Sequence, residues 1–313
     1  MSSIDVAVRE GAQAPSRADR PRAARRWSRG RAAWLFIAPS MLILGVFVLW
    51  PIVASLWYSL HDWTVGAAQQ PWVGLGNYTE LMHDDQFWNA LGNTLVITVV
   101  SVVVLVVLGF LLALALMGEG WGTRFVRSAF FFPTVVSLTS IGLVWRFLLD
   151  PNIGLVDGVL QSVGLPSVNW LQSTTLALPT VIFVDIWKTT GFTMIILLAG
   201  LKGVPQEMLE AARLDGASAP RIVRSIMLPT IRPTMLFATL ILTIQSLQLF
   251  DLVYVMTGGG PVFATDTLVT KVFREGFVNF QTGYASAISW VLFALIVLVS
   301  ALQLRFFRYN DVD

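Results

Sequence analysis

The chain has 313 residues, 55% of them hydrophobic and 13% charged, with a mean hydropathy of +0.70 and a formal net charge of +2. Such values lie far outside the range of soluble domains and point to a membrane protein. The absence of cysteine excludes disulfides, thiol catalysis and cysteine-ligated metals, and the two histidines, His61 and His83, form no metal-binding pattern.

Residues 1–32 carry eight arginines and no lysine among Ala, Pro and Ser. That composition predicts a disordered tail. The arginines precede an apolar run, as in a signal peptide, but the run continues over 33–60, too long for a cleaved segment. It is expected to stay as the first transmembrane helix, with Pro39 and Pro51 near its ends or at kinks. Five further apolar blocks follow at 91–117, 129–149, 174–200, 233–256 and 283–307. Each exceeds the roughly 18 residues needed to cross about 30 Å of hydrocarbon. The expected architecture is an all-α membrane protein, with six transmembrane helices over 33–307 and a short C-terminal tail at 308–313.

Lys and Arg set the expected orientation. Loops 61–90 and 150–173 contain neither, whereas 118–128 holds Arg124 and Arg127, and 201–232 holds Lys202, Arg213, Arg221, Arg224 and Arg232. Basic residues stay on the cytoplasmic side. Both termini are therefore expected inside a bacterial-type plasma membrane. Lys271 and Arg274, in the outer loop 257–282, run mildly against the pattern. The basic balance expresses this topology rather than nucleic-acid binding.

Inside a span, polar groups are costly and so informative. Arg146, near the outer end of the third block, is expected to snorkel. Asp185 and Lys188 stand three apart on one face of the fourth block, and Gln245, Gln248 and Asp251 repeat that spacing on the fifth. Counted from the cytoplasmic edges, Lys188 and Gln245 both lie roughly 18 Å deep at about 1.5 Å per residue. Two readings stand. The residues line a translocation path for a hydroxylated solute, or an Asp185–Lys188 pair and interhelical Gln hydrogen bonds hold the bundle together.

Between these blocks lies the polar segment 205–229. Pro205, Glu207 and Glu210 suit a helix start. Gly216 is placed to take the left-handed cap that ends that helix. Ser218 and Pro220 open a second short helix, which stops before Pro229. Small Ala211 and Ala212 let the first helix press closely on another surface, either a separate partner or the chain's own membrane domain. After the fifth block, Gly258, Gly259 and Gly260 in "TGGGP" (257–261) allow positive-φ backbone and predict a turn at the outer face. No phosphate loop, HExxH or GxSxG pattern occurs, and no nucleophile–base constellation appears.

"EAARLDGASAPRIVRSIMLP" (210–229) fits the pattern E-A-A-x3-G-x9-I-x-L-P at Glu210, Ala211, Ala212, Gly216, Ile226, Leu228 and Pro229. It resembles the EAA motif of permease subunits in binding-protein-dependent ABC importers, and the likeness extends over about residues 30–310. "WKTTGFTMIILLAGLKGVP" (187–205) and "TGGGPVFATDTL" (257–268) are similar to the carbohydrate-uptake branch, which handles sugars, oligosaccharides and glycerol-phosphate compounds. Gly191 departs from that branch, where relatives often have Pro. The resemblance implies a type I importer permease fold with no catalytic site, metal or cofactor of its own. It implies that 205–229 docks on a separate ATPase, with Glu210, Ala211, Ala212, Gly216, Leu228 and Pro229 in the coupling contact. ATP and Mg then sit on that partner. The implied partners are a second homologous permease, two ATPase subunits, and an extracytoplasmic solute-binding protein that meets the 258–260 loop. A stand-alone secondary transporter of a polar solute is the alternative; it calls for an internal repeat, and the sequence shows none.

Overall fold

The computed structural model describes residue 34 and residues 36–309, so the arginine-rich stretch 1–32 and residues 310–313 of the C-terminal tail lie outside the described residues. The chain divides into two compact units, Met1–Ala54 and Ser55–Asp313. The described part of the first belongs to helix α1 (Phe36–Ser59), which includes a π-helical stretch at Gly45–Leu49. Its side chains Phe36, Phe47 and Trp50 are exposed.

The second unit is helical, and its described loops hold two isolated β-bridges, His61 to Trp72 and Thr64 to Gln281. Helix α2 (Gly76–His83) precedes α3 (Asp85–Ala115), which starts earlier than the apolar block because the Asp84 carboxylate accepts from the Gln86 amide and caps the polar first turn. Helices α1, α3, α7 (Ala177–Lys202) and α13 (Thr282–Tyr309) are each long and apolar enough to cross a membrane. The number reaches six if each of two bent pairs is one span: α4 (Trp121–Val135) meets α5 (Leu138–Leu148) at 99°, and α9 (Ala219–Thr230) meets α10 (Arg232–Leu247) at 70°. The short helix α6 (Leu155–Ser162) and the nine-residue α8 (Gln206–Leu214) lie in the loops before and after α7.

The 99° bend lies inside the block 129–149, and the block 233–256 is broken as well, at 248–250, beyond the 70° bend. In the first, Pro133 lacks the amide hydrogen of a regular helix and crowds the carbonyl of Ala129. The chain leaves the helix three residues later, with Val136 extended at φ −75° and ψ 142°. In the second, Gln248 ends α10 and Phe250, at φ −122°, precedes α11 (Asp251–Met256). Neither break removes an apolar side chain, so hydropathy does not register it.

Helix α7 is the most deeply packed. Val181, Val184, Met194 and Leu197 have no exposed surface, and they join two apolar clusters with residues of α3, α5, α10 and α11. At Gly191 it crosses α4 so closely that an added Cβ would lie 2.0 Å from the Phe130 carbonyl oxygen and 2.8 Å from Phe131 Cα. Backbone atoms cannot swing aside as a side-chain tip can. Gly191→Ala is therefore expected to destabilise the protein by about 1–3 kcal/mol, read as a lower thermal midpoint of the purified chain in detergent. An unchanged midpoint would mean that α4 and α7 separate at little cost.

The two cations that run against the charge pattern turn out to be neutralised. Lys271, in α12 (Leu268–Phe273), is 2% exposed and pairs with Asp84 at 2.8 Å and Glu275 at 3.6 Å. Arg274, in the π-turn Arg274–Val278 that follows, pairs with Asp266 at 2.7 Å and Glu275 at 3.7 Å. Tyr284 donates its hydroxyl to Asp84 at 2.6 Å. Burial alone would raise the Asp84 carboxyl, but the hydrogen bonds from Lys271 and Tyr284 and the ammonium charge outweigh it and hold the group below the ordinary aspartate range.

Candidate functional site

A cavity of about 320 Å³ opens between α7 and the break that separates α10 from α11. Asp185, Lys188, Gln245, Gln248 and Asp251 all line it, together with Thr189 and Ser246. The five polar residues singled out from the sequence are brought together, but not as two regular helical rows. Gln248 closes α10, and Asp251 enters from the first turn of α11 after the irregular residues 249–250. Non-helical backbone at membrane depth is tolerated where it lines a cavity or is covered by protein.

Asp185 is 7% exposed and accepts a hydrogen bond from Ser101 Oγ at 2.9 Å. Among the described residues it makes no ion pair with Lys188 within 4.0 Å. The i,i+3 spacing puts both groups on one face, but the nearest partner for the carboxylate comes from α3 instead. The backbone carbonyl of Lys188 accepts from Thr134 Oγ1 at 3.1 Å, which ties the polar part of α7 to the end of α4. Ser101 was missed from the sequence, although a lone hydroxyl within the run "SVVVLVV" is itself a polar group inside a span. The wall carries two carboxylates, an ammonium, two carboxamides and two hydroxyls beside Leu105, Leu138 and Leu242. Such a surface both donates and accepts hydrogen bonds, as a polyhydroxylated solute requires.

The segment 205–229 folds as a helix, a tight turn and a second helix. Pro205 stands one residue before α8, and Ser218 stands before α9 without a side-chain capping bond. Gly216 takes φ +75°. The Ala217 amide bonds to the Ala212 carbonyl at 2.9 Å and the Gly216 amide to the Arg213 carbonyl at 3.1 Å. That pair of bonds is the Schellman closure, which requires the left-handed residue that glycine supplies without strain. Glu210, Ala211 and Pro229 are exposed, while Leu228 is half-buried. Ala212 is also half-buried and packs with Ala217 against a cluster that includes Leu201, Leu209 and Ile222. Its small side chain therefore serves contact with its own chain, whereas Ala211 faces outward.

The turn at 257–261 ends α11. Gly258 and Gly259 have φ of +63° and +88°, and the Gly258 amide reaches the Val253 and Tyr254 carbonyls. Val262 and Phe263 are also left-handed, at φ +48° and +61°, a geometry expected from the sequence only of the glycines. Long-range bonds support it: Asn89 and Asn93 donate to the Phe263 carbonyl at 2.7 and 3.3 Å, from α3.

The comparisons agree with this architecture. Residues 18–309 match the family described as "Binding-protein-dependent transport system inner membrane component". The trehalose/maltose transport system permease protein MalF of Thermococcus litoralis is 32% identical over 91% of this chain and 96% of its own length. The diacetylchitobiose uptake system permease protein NgcF of Streptomyces coelicolor is 35% identical over 85% of this chain and 79% of its own. A chain in the crystal structure of a bacterial alginate ABC transporter, in complex with an alginate pentasaccharide-bound periplasmic protein, shares the fold. Its TM-score is 0.82 at 21% identity, covering 93% of this chain and 99% of that one. With its membrane-length helices and a family match over most of its length, this chain belongs to the inner membrane components of binding-protein-dependent ABC transport systems, a non-catalytic permease subunit.

Proposed function

We propose that this permease forms, with a second homologous permease, the path by which a sugar, oligosaccharide or glycerol-phosphate compound crosses a bacterial-type plasma membrane. The observation that carries the proposal is the convergence of Asp185, Lys188, Gln245, Gln248 and Asp251 on one cavity among the packed helices. The names of relatives that handle trehalose/maltose and diacetylchitobiose support a carbohydrate. An extracytoplasmic binding protein delivers the solute to the outer side, where the turn bearing Gly258, Gly259 and Gly260 meets it. Two ATPase subunits carry ATP and Mg on the inner side, where both termini lie. They dock on α8 and the turn after it through Glu210 and Ala211. Exposed Pro229 adds to that contact, and Ala212, Gly216 and Leu228 hold the surface in place.

The deciding experiment is solute-stimulated ATP hydrolysis by the reconstituted complex, over maltose, trehalose, diacetylchitobiose, glycerol 3-phosphate and, as the contrary class, free amino acids. Stimulation by amino acids alone would overturn the substrate class. Within the cavity, Lys188→Ala removes a charged hydrogen-bond donor without disturbing a close ion pair. Uptake is expected to fall about tenfold or more while the assembled complex is still recovered. Normal uptake with normal stimulated hydrolysis would assign these polar groups to holding the helices together.

A further inference from the structure

A cavity of about 450 Å³ lies between the end of α5, the short helix α6 and the first turns of α7, with Trp145, Leu149, Val156, Pro179 and Phe183 in its wall. By the charge pattern of the loops it is on the outer side. Its wall is apolar. The Thr180 hydroxyl is spent on its own helix, donating to the Leu176 carbonyl at 2.7 Å. Trp170 also lines the cavity, but its Nε1 is shut off from solvent, so the ring meets the space through carbon. Pro179 and Phe183 are exposed, which leaves the cavity open along the flank of a membrane-length helix. An empty apolar cleft of this size forfeits the contacts of its walls, and a thin, rotatable methylene chain restores them.

Two further observations point to lipid. Residues 151–176 hold a single charged side chain, Asp157, and it is 1% exposed. The outer face of α6 carries Leu155 and Val159, with Val163 four residues on, all exposed. Such a stretch lies at the headgroup boundary of a bilayer without stranding a charge in it. The second observation is a polar cavity of about 310 Å³ that shares Leu149 and Trp170 with the apolar one and includes Arg146 and Asp150. These two stand four residues apart at the end of α5, yet they do not pair within 4.0 Å. Arg146 gives one of its five N–H groups to the Val255 carbonyl, at 3.3 Å. Asp150 Oδ1 accepts from the Asn152 and Ile153 amides at 2.9 and 3.2 Å, while Oδ2 has no hydrogen bond among the described residues. Opposite charges left apart in one cavity match a zwitterion: a phosphate for the guanidinium and a primary ammonium for the carboxylate.

We propose that α5, α6 and α7 hold one phosphatidylethanolamine of the outer leaflet, with an acyl chain in the apolar cavity and the headgroup between Arg146 and Asp150. The site shares no lining residue with the cavity of Asp185 and Lys188, and it does not depend on which solute is carried.

The test uses the assembled complex in lipid nanodiscs that contain a trace of phosphatidylethanolamine with a photoreactive diazirine in one acyl chain. After illumination, adducts on this chain are mapped by peptide mass. Adducts are expected on residues 145–183, and unlabelled phosphatidylethanolamine is expected to suppress them about fivefold or more better than phosphatidylcholine, whose methylated ammonium cannot donate to Asp150. Adducts on the rest of the chain should respond equally to both lipids. Arg146→Ala with Asp150→Asn is expected to erase the preference while the adducts remain, because the apolar cavity is intact. Val156→Trp fills that cavity and is expected to remove most adducts from 145–183 while those elsewhere persist, which also shows that the variant complex is folded. Equal competition by the two lipids at 145–183 in the parent overturns the proposal, leaving only bulk bilayer against this face. So does a preference that survives the double variant, or labelling unchanged by Val156→Trp. Absence of adducts on 145–183 with the rest of the chain labelled overturns it as well, and assigns the face to the second permease.

Discussion

Replacing Lys271 by alanine is expected to destabilise the protein by about 3 kcal/mol, the lower end of the roughly 3–5 kcal/mol range for breaking a buried ion pair. The ammonium is buried between Asp84 and Glu275, at 2.8 and 3.6 Å, and its removal leaves Asp84 without its cation and Glu275 with Arg274 alone, at 3.7 Å. The lower end applies because the Asp84 side chain keeps 22% exposure, so water takes over part of its solvation. Three elements would loosen together, since Asp84 also caps α3 through the Gln86 amide and accepts from Tyr284 on α13. The measurement is the thermal midpoint of the purified chain in detergent. The double change Lys271→Ala with Asp84→Asn should recover part of the loss, because the stranded charge is gone. A midpoint equal to the parent's in the single variant would show that the network contributes nothing net.

The pH dependence has a defined sign. The folded-state pKa of Asp84 is depressed, so its contribution is present above the ordinary aspartate pKa of about 3.9 and is lost as pH falls through the lower folded value. The stability gap between parent and Lys271→Ala is therefore expected to be full at neutral pH and to shrink below about pH 4. A gap that widened on acidification would contradict the assignment.

Ala211→Trp and Gly216→Val are expected to leave membrane insertion and pairing with the second permease intact while lowering the ATPase recovered per permease. The two act by different routes. Ala211 is exposed, so an indole there disturbs no contact within the chain but stands in the way of a close partner surface. At Gly216 a Cβ would meet nothing within 4 Å, so the cost is in the backbone alone. Holding a valine at φ +75° costs about 1–2 kcal/mol, too little to unfold the packed helices but enough to release the Schellman closure and re-aim α8. A drop of about tenfold in co-purified ATPase corresponds to about 1.4 kcal/mol of docking energy, with uptake falling in step. Ala212→Trp is a poorer probe, because Ala212 packs on its own chain and a bulky group there would overfill that cluster. Normal ATPase recovery with normal uptake in both variants would remove α8 as the docking surface.

Much of this fold is local and therefore legible in the residues. Burying about 18 apolar side chains in a row has the same meaning wherever the row packs, so the blocks of hydrophobic sequence mark the membrane helices. A glycine two residues past a short helix has few geometries open to it, and Gly216 takes the one that closes α8. What only the tertiary structure decided depends on partners far along the chain. Lys271 is neutral in effect because Asp84 lies beside it, and Asp185 takes its hydrogen bond from Ser101, 84 residues away, rather than pairing with Lys188 one turn along. The breaks at 136–137 and 248–250 interrupt the helices without altering hydropathy, yet the second brings Asp251 and Gln248 to one cavity wall. Ala211 and Ala212 are identical as residues; only the cluster beneath α8 makes one an outer surface and the other a support. Sequence reports the cost of leaving water, residue by residue, whereas the pairing of polar groups and the facing of small ones are set by which distant elements pack against them.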